Sequence, residues 1–163
     1  MIDHILPLPE GFTLLPRTEE RLQELWKKLE PLHGIFSDDN LHNLRTFSQY
    51  FLDFNTIILA HEQGVVILRD LIRGLKGEVH LAFWDNKLSP RTDVLKECLI
   101  WAFLTYDLYR IGTFVPDYAR AVRRFIENKM HFRKEGTLRS WGWHKGRLVD
   151  VGIYSILREE VLN

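Results

Sequence analysis

Cysteine is nearly absent. The 163-residue chain has one, Cys98, which excludes an internal disulfide framework and points to a reducing compartment. Net charge is absent too, with 22 Lys and Arg against 22 Asp and Glu, so no global field recruits nucleic acid. The longest apolar runs, residues 56–60 and 99–104, are far shorter than the ~20 residues that cross a bilayer. The opening Met1-Ile2-Asp3-His4 lacks the basic start and apolar stretch of a secretory signal. His61, His131 and His144 do not have metal-ligand spacing, and no HxxxH or CxxC element exists. Repeats and low-complexity segments are missing as well. The expectation is a cytoplasmic chain forming a single domain over residues 1–163, with no metal and no membrane segment.

What is present is ordinary globular material. Apolar residues make up 45% and charged residues 27%, and this length suffices for a proper core. Residues 11–15 read as a short strand ended by Pro16. Thr18 followed by Glu19 and Glu20 reads as a helix start, and Leu22, Leu25, Trp26 and Leu29 recur at helical spacing over 18–32. Asp38, Asp39 and Asn40 offer a second cap, with a helix to about Leu52. The period then changes. Residues 56–61 and 65–71 are β-branched-rich and separated by Glu62-Gln63-Gly64, a hairpin pattern. Residues 78–85 form a further strand, with Val79, Leu81 and Phe83 on one face and Glu78, His80, Ala82 and Trp84 on the other. A helix over 92–109, a strand over 110–115 and a helix over 118–130 follow. Two long strands within 132–160 fold back at His144-Lys145-Gly146. The order is β-α-α-β-β-β-α-β-α-β-β, a mixed α/β class with about seven strands in a twisted sheet and about four helices on its faces.

Two stretches carry a resemblance: LIWAFLTYDLYRIGTFVPDYARAV (residues 99–122) and EGTLRSWGWHKGRLVDVGIYSILREE (135–160). They are similar to the central helix, fifth strand, following helix and closing hairpin of the GCN5-related N-acetyltransferases (GNAT). The hairpin most resembles the branch that acetylates ribosomal-protein N-termini. The resemblance implies the acyl-CoA N-acyltransferase fold, acetyl-CoA as co-substrate, and transfer of an acetyl group to a primary amine, either a protein N-terminus or a small amine.

The family places acetyl-CoA in a splay between the fourth and fifth strands, with its pyrophosphate at the N-terminus of the central helix, where unpaired N–H groups favour an anion. By resemblance, Leu81, Phe83 and Trp84 would lie along the pantetheine arm. Leu88, Ser89, Arg91 and Thr92 would face the pyrophosphate. This pyrophosphate loop is divergent: Lys87-Leu88-Ser89-Pro90-Arg91 has no glycine where the family has a Gly-x-Gly-type turn, and Pro90 lacks an N–H. Arg91 and Lys96 could replace part of the attraction by side-chain charge. The family's common Asn, its Tyr acid and the Gly of its Gly-Phe ending fall at Tyr118, near Phe125 and at His131.

Glu78 and His80 lie on one strand face beside the expected splay and are the base candidates; the same pair also reads as a solvated strand face. Tyr118 is the hydroxyl nearest the expected thiolate, or a helix-start aromatic packed on the sheet. Nine Lys/Arg against three Asp/Glu lie between residues 117 and 147. Among them Arg120, Arg123 and Arg124 could reach the phosphates of CoA, or form a solvated face. That stretch has no aromatic stacking array, so nucleic acid is not an expected partner. Trp141 and Trp143, with Trp26 and Phe36, are candidates for an apolar acceptor cleft, the alternative being core and homodimer packing. Cys98 shares the apolar side of its helix with Leu95, Leu99 and Ala102, which marks it as buried and inert. The enzymatic reading has one alternative of another class: a catalytically inactive GNAT-fold protein serving as a binding or assembly component.

Overall fold

In a computed structural model, residues 6–32, 44–53, 55–85 and 92–162 are described. Seven strands form one sheet in the order β1-β2-β3-β4-β5-β7-β6. They are β1 (Thr13–Leu14), β2 (Ile57–His61), β3 (Gly64–Ile72), β4 (Lys76–Phe83), β5 (Arg110–Pro116), β6 (Arg133–His144) and β7 (Arg147–Leu157). The helices are α1 (Glu19–Leu29), α2 (Leu44–Phe51), α3 (Thr92–Thr105), α4 (Arg120–Asn128) and α5 (Arg158–Leu162). All neighbouring strands run antiparallel except β4 and β5. This is the mixed sheet and element order read from periodicity, with α5 added at the end.

Alternation along the central strands builds two cores. Val66, Leu68 and Val79 face a cluster with Leu95, Cys98, Leu99, Ala102 and Phe103 of α3 and Ile126 of α4. Val65, Ile67 and Ala82 face the opposite way, onto Leu22, Leu25, Trp26 and Leu29 of α1 and Phe47 of α2. Each fully buried large apolar side chain contributes about 1.5–3 kcal/mol. The apolar stripe of α1 is therefore what binds it to the sheet. Thr18 caps that helix, its hydroxyl accepting the Arg21 N–H at 3.4 Å.

Among the boundaries that differ from the sequence reading, three have a visible cause. Helix α3 stops at Thr105, four residues before Tyr109: Asp107 turns left-handed (φ 51°) and the Leu108 N–H reaches back to the Phe103 carbonyl at 3.0 Å, a Schellman-type ending. Helix α4 begins at Arg120, not Tyr118, because residues 116–119 form a turn closed by the Ala119 N–H on the Pro116 carbonyl at 2.9 Å. The last strand ends at Leu157, and residues 158–160 are helical. Glu160 accepts the Leu157 N–H at 2.9 Å, the reciprocal arm of a capping box, and this stops the strand. The helix start at Asp38, Asp39 and Asn40 lies outside the described residues.

His131, which stands where the resembling family has glycine, adopts φ 61° just past α4. An L-residue with a Cβ pays about 1–2 kcal/mol for that conformation. At the same end of the sheet's closing half, Arg110 of β5 meets Glu135 of β6 across β7 in a bidentate pair, both N···O distances 2.5 Å, and the Ser155 hydroxyl donates to the same carboxylate at 2.6 Å. These bonds, Arg110 first and then Ser155, hold the Glu135 carboxyl down at about 2, against an ordinary 4.5.

Two outcomes are expected. His131→Gly raises the unfolding free energy by roughly 1 kcal/mol, measured by urea titration. A depressed carboxylate contributes stability above its unfolded value and loses it as pH falls through the folded one. Acid titration of stability should therefore show a loss between about 4.5 and about 2 that Glu135→Gln removes.

Candidate active site

The parallel ladder between β4 and β5 is short. Only Lys76 with Arg110, Gly77 with Ile111 and Glu78 with Gly112 are paired. Beyond them β4 continues to Phe83 and β5 to Pro116 without pairing to each other, so the strands part and a slot opens through the sheet. Its cavity measures about 420 Å³. Leu95 and Leu99 of α3 with Ile126 of α4 line one end, on the first core's face. Arg69, Glu78 and His80 line it from strand positions that share the face of Ile67 and Ala82, the second core's face, and Asp70 joins the lining from the register break that follows Arg69.

Glu78 and His80 come together in this slot, with His80 Nε2 3.6 Å from Glu78 Oε2 and both side chains about three-quarters buried. Burial opposes ionisation of Glu78, but the neighbouring His80, with Arg69 beside it, outweighs burial and holds the carboxyl below its ordinary range. Arg69 stands directly across from Glu78 in the β3–β4 register, and burial lowers its guanidinium from the usual value against the pull of Asp70 and Glu78. The next residue, Asp70, has φ 47°, in the register break between Arg69 and Ile72. Sequence reasoning missed Arg69 and Asp70. The signal was there: two adjacent charges interrupt an otherwise apolar run, VVILRDLI, just where the strand stops being buried on both faces.

The other sequence candidates divide. Leu81 and Trp141 line the slot. Phe83 packs against the first core, while Trp84 packs against the second, its indole N–H donating to the Glu62 carbonyl at 2.7 Å and the Lys28 ammonium 4.7 Å above its ring. Trp26 is buried under α2, 4.9 Å from the Phe47 ring, and does not line the slot. Trp143 sits half-exposed opposite Leu148 at the hairpin end. Tyr118 lies just before α4 with its ring stacked 3.7 Å from that of His144, next to the slot-lining Ala119. Thr92 and Lys96 occupy the first turns of α3. On α4, Arg123 is 3.9 Å from the Asp117 carboxylate, and Arg120 and Arg124 are exposed. Phe36, Leu88, Ser89, Pro90 and Arg91 lie outside the described residues.

Among the described residues no group of three His, Cys, Asp or Glu is placed to hold a metal ion, and no helix is long and apolar enough to cross a membrane. Cys98 is buried at 1% exposure, and burial first, then the charge of Glu97, pushes its thiol up to about 12. A thiol so far from its thiolate form is not a nucleophile. Iodoacetamide should leave Cys98 unmodified in the native protein near pH 8 and alkylate it in denaturant, as read by intact mass.

No known family profile and no curated protein matches the chain by sequence. Solved structures do match it in fold. A point mutant of the spermidine N-acetyltransferase from Vibrio cholerae superposes with TM-score 0.71 at 18% identity, over 94% of this chain and 97% of that one. A chimera of the same Vibrio cholerae enzyme with hSSAT gives TM-score 0.74 at 17% identity over 93% and 99%. A structure described as a probable acetyltransferase gives 0.64 at 17% identity over 95% and 97%. The fold of this chain is that of the GNAT acyl-CoA N-acyltransferases.

Proposed function

We propose that a chain with this fold is an acetyl-CoA-dependent N-acetyltransferase that acts on a primary amine, a protein N-terminus or a small amine. The observation that carries the reading is the slot itself: two parallel strands that part after three paired positions, with an ionised carboxylate and an imidazole on the slot's wall. From Val79 onward the β5-facing edge of β4 has no strand partner. A strand edge of this kind offers N–H and C=O groups to an extended amide chain such as pantetheine. The residues present therefore fit the co-substrate.

Acetyl-CoA would supply the acyl group as a thioester. The protein's part is proximity, charge placement and proton handling. An amine must arrive neutral to attack the carbonyl; the C–N bond forms, the C–S bond breaks, and the thiolate takes a proton. His80, directly or through a water, accepts the proton that the amine loses, and the Glu78 carboxylate at 3.6 Å stabilises the resulting imidazolium. Strand N–H groups along the open edge of β4 polarise the carbonyl. Tyr118 is the hydroxyl assigned to protonating the thiolate. Arg91, Lys96 and the α4 arginines Arg120, Arg123 and Arg124 are assigned to phosphate oxygens.

The glycine-free segment Lys87-Leu88-Ser89-Pro90-Arg91 favours the second reading, a scaffold that has lost catalysis and serves in binding or assembly. Calorimetric titration with acetyl-CoA and with CoA separates the two. Binding near the micromolar range is expected, weakened roughly tenfold by Arg91→Ala or Lys96→Ala; no heat up to millimolar ligand rejects the enzyme. With spermidine or an N-terminal peptide as acceptor, Glu78→Gln and His80→Ala should each lower kcat by about 10²–10⁴-fold while acetyl-CoA affinity holds.

A further inference from the structure

The register of the closing hairpin slips in front of the slot. Leu138 faces Val151 and Gly142 faces Val149, so residues 139–141 on β6 stand against the single residue Asp150 on β7. At the middle of this bulge Ser140 takes φ 52°, a conformation that a residue with a Cβ adopts only under constraint. The constraint is visible: the Ser140 N–H donates to Asp150 Oδ1 at 2.8 Å. On the far side, a Cβ added to Gly142 would lie 3.1 Å from methyl groups of both Val149 and Val151. The strand thus re-enters the ladder through a glycine that has almost no room. Between these two fixed points stands Trp141, which lines the slot and is nevertheless 68% exposed.

A tryptophan with so much of its surface in water is not held by packing. Its direction is set by the backbone that carries it, and that backbone is held by a charge-assisted hydrogen bond. We propose that Asp150 is a positioning residue: its carboxylate locks the bulge and thereby fixes Trp141 at the rim of the slot. An indole held there presents a flat apolar wall, and a π face attractive to a cation, to whatever amine enters. This functional meaning rests on the acetyltransferase reading, whereas the positioning itself does not.

The test follows from the same geometry. The protein is labelled with 5-fluorotryptophan and its five tryptophan signals are observed by fluorine NMR, that of Trp141 assigned by its loss in Trp141→Phe. In the unsubstituted protein the Trp141 signal is expected to be single and displaced from that of free 5-fluorotryptophan. Asp150→Ala should move it to the free position, while the signals of the buried Trp26 and Trp101 stay in place. Asp150→Asn, which keeps an oxygen acceptor, should retain the displaced signal. Ser140→Gly added to Asp150→Ala should restore it in part, because glycine holds a positive φ without help. A Trp141 signal unmoved by Asp150→Ala overturns the proposal. So does collapse of all five signals that Ser140→Gly does not reverse, joined with the same collapse in Asp150→Asn. None of these readings needs turnover: a protein that acetylates no amine leaves them intact, and their failure leaves the transferase reading standing.

Discussion

Everything distinctive about this protein depends on a parallel ladder that is cut short. A parallel pair is satisfied only by evenly spaced bonds along its length, and β4 and β5 share just three rungs before separating. The separation is enforced from both sides. Strand β4 is held along nearly all its length by β3, from Phe83 opposite Gly64 down to Glu78 opposite Arg69. Strand β5 is held along all of its length by β7. Each strand has one loyal neighbour, so the two halves of the sheet are free to diverge while remaining joined at the rungs near Gly77 and Ile111. Arg110, paired to Glu135 over Ser155, sits at the far rung of that joined end, opposite Lys76, and ties the second half together there.

The divergence has an electrostatic consequence. Had the ladder continued past Glu78, its carboxylate and the His80 imidazole would still share a face, but they would flank a closed sheet. Here they border an opening, together with Arg69 and Asp70. Burial raises the cost of every charge in the group, and the groups answer by pairing with one another. Glu78 stays ionised because His80 and Arg69 outweigh its desolvation.

Much of this was legible in the sequence because period-2 and period-3.6 patterns report directly on which side chains are buried. The alternation of Val79, Leu81 and Phe83 against Glu78, His80, Ala82 and Trp84 matches the two-sided packing of β4. The stripe Leu22, Leu25, Trp26, Leu29 matches the buried face of α1. Terminations were harder. The left-handed residues Asp107 and His131 are set by tertiary closure and leave no mark in periodicity. The capping role of Glu160 became visible only once Leu157 was placed at the end of a strand. At the site, Glu78 and His80 could be named because two strand residues on one face must be neighbours. Arg69 and Asp70 needed the register of a different strand, which one sequence does not state. Trp26 and Trp141 look alike in composition, yet one is core and the other lines the slot, since burial follows from where the helix and the bulge sit.

The outer strands of the sheet have their own logic. An open sheet exposes unpaired N–H and C=O groups along two margins, an invitation to extend into a neighbouring molecule. One margin here is β1, two residues long, too short to template anything. The other is β6, whose twelve residues would be a long and sticky border if straight. It is interrupted twice, between Lys134 and Gly136 and between Leu138 and Gly142, and carries Arg133, Lys134 and Arg139 along its exposed length. The irregularity that presents a tryptophan to the slot also breaks the strand's straight run, so the same two surplus residues guard the chain against edge-to-edge polymerisation.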